Sequence, residues 1–427
     1  MEAINRRRFI KEMGMIGGGV LLATSPWFSA FSDQKNTIGS FARIGVIGPG
    51  SRGQFLMSFM AKNPKVQIVA LCDIYQPSID AALKIAPKAK VYNDYRRLLE
   101  NKEIDAVVIA TPLDKHYQIA LDAFEAGKHV FCEKSIAYSL DETYNIYQKY
   151  LSSNRVFFVG QQRLFDPRYI NAIEKVHSGE FGDISGIRTF WHRNNDWRRP
   201  IPSPKLDEQI NWRLYKAHSK GIMTELACHQ LQIGTWALRQ IPDKVMGHGA
   251  ITYWKEKREV YDNVSCIYTF DNGVKMNFDS VLSNKFYGLE EQILCSKGTI
   301  EPEKSKYYFE EIPPAPAFLQ MINDVENAMF GSLPFAGTSW VPETANTNKG
   351  HYLLNKKPED DGTSLMLEAF AEAVITKKQP PLIAEEGYYA TQLSLLGHQA
   401  MEEERMLVFP EKLKLNYLNH KANKFTI

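Results

Sequence analysis

Residues 42–53 read Ala-Arg-Ile-Gly-Val-Ile-Gly-Pro-Gly-Ser-Arg-Gly, an apolar run that breaks into glycines at 48, 50 and 53. Phe55, Leu56, Phe59 and Met60 follow at helical spacing. Strand, glycine turn and helix in this order predict the phosphate-binding corner of a dinucleotide fold. The reason is steric: a pyrophosphate reaches backbone N–H groups at a helix N-terminus only where no Cβ intrudes. Gly48, Gly50, Ser51, Arg52 and Gly53 are therefore expected at the cofactor. A second apolar run, Val66 to Cys72, ends in Asp73, twenty residues beyond Gly53. A carboxylate there accepts both ribose hydroxyls of NAD and repels a 2′-phosphate, so NAD is expected, with Arg52 the feature that keeps NADP open.

The alternation continues. Helices are predicted near Ser78 to Ile85, Tyr95 to Leu99 and His116 to Glu125, and strands at Ala106 to Ala110 and His129 to Cys132. Such βα alternation means a Rossmann-type, doubly wound parallel sheet, here over residues 41–160. Ligands of open α/β sheets bind at the carboxyl ends of the strands. Thr111 and Pro112 follow one strand and Glu133 and Lys134 another, which aims Lys134 at the cofactor side and makes it a catalytic candidate.

Beyond a helix from Leu140 to Tyr150 and a strand from Val156 to Gly160 the pattern changes. Strands are predicted at Ile184 to Trp191, Lys244 to Tyr253, Asn263 to Phe270 and Val274 to Leu282, the last two joined by the turn Asp271-Asn272-Gly273. They suggest an α+β domain over 161–380 with a large, predominantly antiparallel open sheet, whose uncovered face suits homo-oligomerisation. Gly221 to Leu238 reads as a helix on which Glu225 and His229 share a face. A lone histidine on an apolar helix is more often a satisfied core residue. Its coincidence with Glu225, Lys134 and a complete nucleotide half points instead to catalysis. Helices at Ser364 to Ile375 and Gly387 to Glu404 close the chain, residues 381–427 forming a C-terminal helix and tail, and Glu310 to Asp361 reads as a loop-bearing insertion.

The chain has 427 residues, 44% hydrophobic and 23% charged, enough for two or three cored domains. Fifty-one basic against forty-nine acidic residues leave a charge of +2. That lacks the positive field of a nucleic-acid or anionic-membrane protein. Five widely spaced cysteines without C-x-x-C predict buried free thiols rather than a disulfide scaffold or zinc site. Asn5-Arg6-Arg7-Arg8-Phe9-Ile10-Lys11, followed by the uncharged stretch Met13 to Ala23, reads as a twin-arginine signal over residues 1–32. A periplasmic or otherwise exported protein is expected, with no membrane association beyond that signal.

Thr111 to Lys134 (TPLDKHYQIALDAFEAGKHVFCEK), together with GPGSRG upstream, resembles the glucose-fructose oxidoreductase, inositol dehydrogenase and MocA-type (Gfo/Idh/MocA) family. The resemblance implies that Lys134 contacts substrate and cofactor, with Thr111, Pro112, His116 and Glu133 on the cofactor side. Ser135 stands where the family has proline. In the family's acidic-x-x-x-His pattern, Glu225 and His229 match, while Gln232 replaces a final Asp. Carried over, His229 is the acid/base, and Glu225 orients it or binds a sugar hydroxyl. The C-terminal helices are implied to pack toward the nucleotide domain. The pattern MTELACHQLQ, with REVYDNVSCIYTF and SVLSNKF, is most similar to the exported branch that oxidises glycosides at C3.

Oxidising a secondary alcohol needs a base at the hydroxyl and a cation beside the alkoxide, roles that His229 and Lys134 fit without a metal. Aromatic residues cluster with Arg and His at Thr189 to Pro200, Asn211 to Tyr215 and Asn284 to Gly288. Aromatic faces with polar neighbours suit a sugar, which selects Arg163, His192, Trp197 and Trp212 as substrate contacts. Core roles are an equal expectation for any one of them. An exported enzyme has no free NAD pool, so a tightly bound, recycled cofactor is expected. Either an external acceptor or second sugar reoxidises it, or a redox-neutral cycle eliminates a glycosidic bond after transient C3 oxidation. A non-catalytic sugar-binding member is the remaining alternative.

Overall fold

The computed structural model describes residues 41–310 and 349–415, together with helical positions 320–321, 324–325 and 328–329. The expected export signal and most of the expected insertion lie outside the described residues. In the first half, β1 (Ala42–Ile47), α1 (Ser51–Met60), β2 (Val66–Cys72), α2 (Gln76–Ile85), β3 (Lys90–Tyr92), α3 (Tyr95–Leu99), β4 (Ala106–Ile109), α4 (Leu113–Glu125), β5 (His129–Cys132), α5 (Leu140–Ser153) and β6 (Phe157–Val159) alternate strictly. The six strands form one sheet in the order β3-β2-β1-β4-β5-β6. Every pairing in it is parallel. Strands β4, β5 and β6 are buried along their whole length, as a sheet covered on both faces requires.

Helix α6 (Pro167–His177) leads into β7 (Ile184–Trp191), and α7 (Cys228–Leu238) precedes β8 (Lys244–Ala250), β9 (Asn263–Thr269), β10 (Lys275–Val281), β11 (Leu289–Cys295), β12 (Gly298–Glu301) and β13 (Lys306–Phe309). With β14 (His351–Tyr352) and β15 (Leu407–Val408) these make a nine-stranded sheet, order β14-β13-β12-β11-β7-β10-β9-β8-β15. All its pairings are antiparallel except β7 with β10. The overall class is α/β, a parallel Rossmann sheet followed by a mixed, mostly antiparallel one. Burial alternates along β9 and β10: Val264, Cys266, Tyr268, Met276 and Phe278 face the helices, while Ser265, Lys275 and Asn277 face outward. Gly273 turns the hairpin with a φ of +83°. Strands β11 to β13 and helix α6 were not predicted. Glu290 and Glu291 interrupt the apolar alternation of β11, because both carboxylates are buried among partners from other segments.

Helices α8 (Thr363–Thr376) and α9 (Ile383–Glu402) return to the first sheet. Phe370 meets Phe131 and Phe158 edge-on or tilted, with centroids 5.5 and 5.2 Å away. Ile136 N–H donates to the Thr391 hydroxyl at 3.0 Å. A Cβ on Gly387 would lie 2.4 Å from the Val159 side chain, so α9 approaches β6 at glycine distance. All five cysteines are free and buried. Among the described residues no helix is long and apolar enough to cross a membrane. Phe370→Ala is expected to cost about 3–5 kcal/mol, since it opens a cavity between two aromatic rings. Urea denaturation should show a lower midpoint at unchanged slope.

Candidate active site

The glycine turn is built as its steric role demands. Gly48 has a φ of +83°, and a Cβ there would lie 2.8 Å from the Ala110 and Thr111 backbone. A Cβ on Gly53 would meet the Gly48 carbonyl at 2.6 Å, while above Gly50 nothing lies within 4 Å. The α1 N-terminus has no side-chain cap, so its N–H groups are left for a ligand. The Thr111 hydroxyl, in the adjoining cleft, is buried without a hydrogen-bond partner among the described residues. Asp73 follows β2 at the level of the turn, since Gly48 N–H donates to the Cys72 carbonyl at 2.9 Å. Burial raises the Asp73 carboxyl, opposed by the Tyr75 and Ile74 N–H groups. These residues fit a dinucleotide: open backbone for the pyrophosphate, a carboxylate for the ribose.

Beside the turn opens a cleft of about 490 Å³ that collects Arg52, Thr111, His116, Glu133, Lys134, Glu225 and His229 with Trp191, Trp197 and Trp212. Arg52 points into it and pairs with Glu133 at 2.7 Å. A Cβ on Gly160 would lie 2.7 Å from Glu133 Oε2, so this carboxylate needs glycine beneath it. Buried His116 has both ring nitrogens 2.9 Å from carbonyl oxygens, those of Ser135 and Thr111. It bolts the ends of β4 and β5 together rather than facing a ligand alone. Burial lowers its proton affinity, against the pull of both carbonyls, Glu133 and Glu225. The Lys134–Ser135 peptide bond is cis, at the place where the family has proline.

Lys134 reaches the second half of the chain. A π-helical turn, Met223–Ala227, precedes α7, a kind of turn found often at functional sites. The Glu225 carbonyl accepts from Lys134 Nζ at 2.6 Å, and the Thr224 carbonyl accepts from Lys134, the Ser135 hydroxyl and Cys228 Sγ at 3.5, 3.2 and 3.3 Å. The strand tip is thus fastened to the start of the helix that carries His229. The His229 ring packs 5.8 Å from Trp191, and Nδ1 is buried without a partner among the described residues. Burial, reinforced by Lys134, Arg163 and Arg52, holds its proton affinity well below the ordinary histidine value, so the ring is neutral.

Three expected roles change. The Glu225 carboxylate does not orient His229; it accepts from Arg213 Nε at 2.8 Å, because a guanidinium is the stronger partner for a half-buried carboxylate. Burial raises the Glu225 carboxyl, but Arg213 and Lys134 outweigh it and hold it below the usual range. Arg163 is no substrate contact. Its guanidinium is buried on Glu291 at 2.7 Å, between the rings of Tyr169 and Trp191, and a buried charge needs that partner. His192 pairs with Asp279 at 3.1 Å and lines a shallower neighbouring hollow, since strand alternation turns it from the face of Trp191. Trp197 and Trp212 do line the cleft. Sequence reasoning missed Gln162, Trp191, Arg193, Asn195, Arg198, Arg199 and Arg213 there. Most lie inside two of the three clusters already singled out, Thr189 to Pro200 and Asn211 to Tyr215, and none in Asn284 to Gly288.

Neutral His229 predicts that any acid limb of kcat/KM due to its protonation lies below pH 6.5. Buried neutral histidines also bind protons only when the chain unfolds, so stability should fall as pH drops from 6.5 toward 4, the range to which burial pulls His129 and His177. Thermal melts across that range check the second expectation, and rising stability would contradict it.

Residues 42–161 match the model described as "Oxidoreductase family, NAD-binding Rossmann fold", and residues 169–301 match the "GFO/IDH/MocA C-terminal domain". The uncharacterized oxidoreductase YrbE of Bacillus subtilis (strain 168) is 24% identical over 361 residues, 84% of this chain and 93% of its own. An alpha-N-acetylgalactosaminidase of Shewanella oneidensis is 27% identical over 259 residues, 53% of this chain and 55% of its own, so the match spans about half of that protein. A levoglucosan dehydrogenase solved with NADH and levoglucosan superposes with a TM-score of 0.67 at 18% identity, covering 87% of this chain and all of its own. The two matches together cover both halves of the described chain, and the protein belongs to the Gfo/Idh/MocA family of NAD-binding oxidoreductases.

Proposed function

We propose that this protein oxidises a secondary alcohol of a sugar or glycoside, at C3 of the ring, using an NAD that stays bound between turnovers. The observation that carries this reading is the convergence of Lys134 and His229 in one cleft at the carboxyl end of the parallel sheet. NAD, when bound, accepts a hydride from the carbinol carbon. NAD rather than NADP is supported by Asp73 and by Arg52, which is engaged with Glu133. The sugar relatives named above support the substrate class.

The chain's own part is proton handling and placement. His229 exchanges the hydroxyl proton at Nε2. To take the hydroxyl proton at Nε2, the neutral ring carries its own proton on buried Nδ1 and keeps the Nε2 lone pair; the transfer gives an imidazolium, whose Nε2–H returns the proton to a ketone oxygen in the reducing direction. The Lys134 ammonium, fixed by two backbone carbonyls, stabilises negative charge on the same oxygen. Glu225, half-buried and ionised on Arg213, is an acceptor for a neighbouring hydroxyl. Trp197 and Trp212 offer faces for the sugar's C–H surface.

Export by the twin-arginine route belongs to the same proposal, supported by Asn5 to Lys11 and the apolar stretch behind it. So does self-association through the sheet face that carries Arg188, Met246 and Lys275, which light scattering would measure. The galactosaminidase relative supports a second reading, in which oxidation is transient and a glycosidic bond is cleaved without net redox change.

Purified protein is expected to release about one NAD per chain on denaturation. Given methyl glucosides and an artificial electron acceptor, it should yield a keto sugar. Free methanol without ketone would identify the cleaving reading, and a protein that releases no nucleotide would refute the recycled cofactor. Lys134→Met and His229→Asn are each expected to lower kcat by about 10²-fold or more with NAD retained. Full turnover in either would overturn the site.

A further inference from the structure

The cleft holds more positive charge than alcohol oxidation uses. Among the described residues, six cationic side chains line it, Arg52, Lys134, Arg193, Arg198, Arg199 and Arg213, against two carboxylates, Glu133 and Glu225. Four of the six are accounted for. Arg52 pairs with Glu133, Arg213 with Glu225 and Arg198 with Asp207 at 3.1 Å, while Lys134 sits on carbonyls. The guanidiniums of Arg193 and Arg199 have no carboxylate or carbonyl partner among the described residues.

Both are nevertheless placed by the fold. Arg193 follows β7, with its N–H on the Val281 carbonyl at 2.8 Å and its guanidinium 5.1 Å from the centre of the Trp191 ring, which orients the charge without cancelling it. The backbone of Arg199 is clamped on both sides by buried Asn211, whose Oδ1 accepts its N–H at 2.6 Å and whose Nδ2 donates to its carbonyl at 3.1 Å. Between them Trp197 has a φ of +62°, unusual for so bulky a residue, with its N–H held by Asn195 Oδ1 at 2.6 Å. Burial lowers the proton affinity of both arginines, and the nearby Arg213 adds to this at Arg199. The wall is therefore a fixed, strained loop that presents two uncompensated charges. The glycine turn expected to seat the cofactor's pyrophosphate lies between β1 and α1, whereas both arginines belong to the loop that follows β7.

We infer that the sugar bound here is anionic, carrying a carboxylate or a sulfate ester that Arg193 and Arg199 engage while its alcohol lies at Lys134 and His229. Guanidinium forks match such oxyanions in a two-point fashion. The inference rests on the sugar-oxidising reading above and narrows its substrate class.

Binding can be read without turnover, by quenching of intrinsic tryptophan fluorescence in NAD-loaded protein. The probes are methyl β-D-glucuronide, methyl β-D-galacturonide and glucose 6-sulfate, against methyl β-D-glucoside. At low salt at least one anionic probe should bind about tenfold tighter than the glucoside, or better. That ratio should shrink as salt rises, and also in Arg193→Gln and Arg199→Gln. A preference for the uronides or for the sulfate identifies which oxyanion is read. Equal or weaker binding of all the anionic probes, or no binding of any probe, would overturn the inference. Absorbance at 340 nm separates the two proposals. Neutral glycosides oxidised without any anionic preference leave the oxidoreductase reading standing and remove this one. Preferred binding of an anionic probe with no reduction of the cofactor does the reverse.

Discussion

One ammonium group joins the two halves of this protein. Lys134 stands at the end of β5, yet Nζ lies 2.6 Å from the carbonyl of Glu225, ninety-one residues away. Hydrogen bonds to charged groups are each worth about 1.5–3 kcal/mol. An ammonium left half-buried without them would carry a desolvation penalty of several kcal/mol. The π-helical turn carries those acceptors, whose second lone pairs take the side-chain donors. Ser135 and Cys228 converge on the same Thr224 carbonyl, so the join is a small network. The position of His229 relative to the glycine turn depends on it, because α7 continues directly from the π turn.

The parallel half of the fold was legible because its signals are local. Glycines at 48, 50 and 53 and short apolar strands ending in polar residues leave few alternatives, and Asp73 sits where β2 must end. The second half was legible only where burial alternates. Strands β9 and β10 follow that rule and meet at Asp271 to Gly273. Strand β11 does not, since Glu290 and Glu291 point inward to partners that come from α6 and the β12–β13 turn. No local pattern announces a buried carboxylate whose partner lies more than a hundred residues away.

The same distinction divides the site. Lys134 and His229 were found through strand ends and helix faces. Of the two roles expected for Glu225, orienting His229 gives way to Arg213, which reaches it from the short 3-10 turn Trp212–Leu214 that no periodicity encodes. Arg163 and His192 have residue types that suit sugar binding, but strand direction and the need to neutralise a buried guanidinium turned them elsewhere. Three of the arginines that do face the cleft, Arg193, Arg198 and Arg199, lie in the irregular segment 193–200, held in part by side-chain bonds from Asn195 and Asn211. Loops of this kind carry specificity because a rigid scaffold fixes their ends while their sequence stays free.

The central claim is spatial, and a crystal structure with NADH and a bound methyl glycoside tests it most directly. The account predicts one sugar hydroxyl oxygen within about 3.2 Å of both His229 Nε2 and Lys134 Nζ, its carbon facing the nicotinamide. A sugar whose hydroxyls meet neither group, or a nicotinamide seated away from the Lys134 carbonyl network, would contradict it.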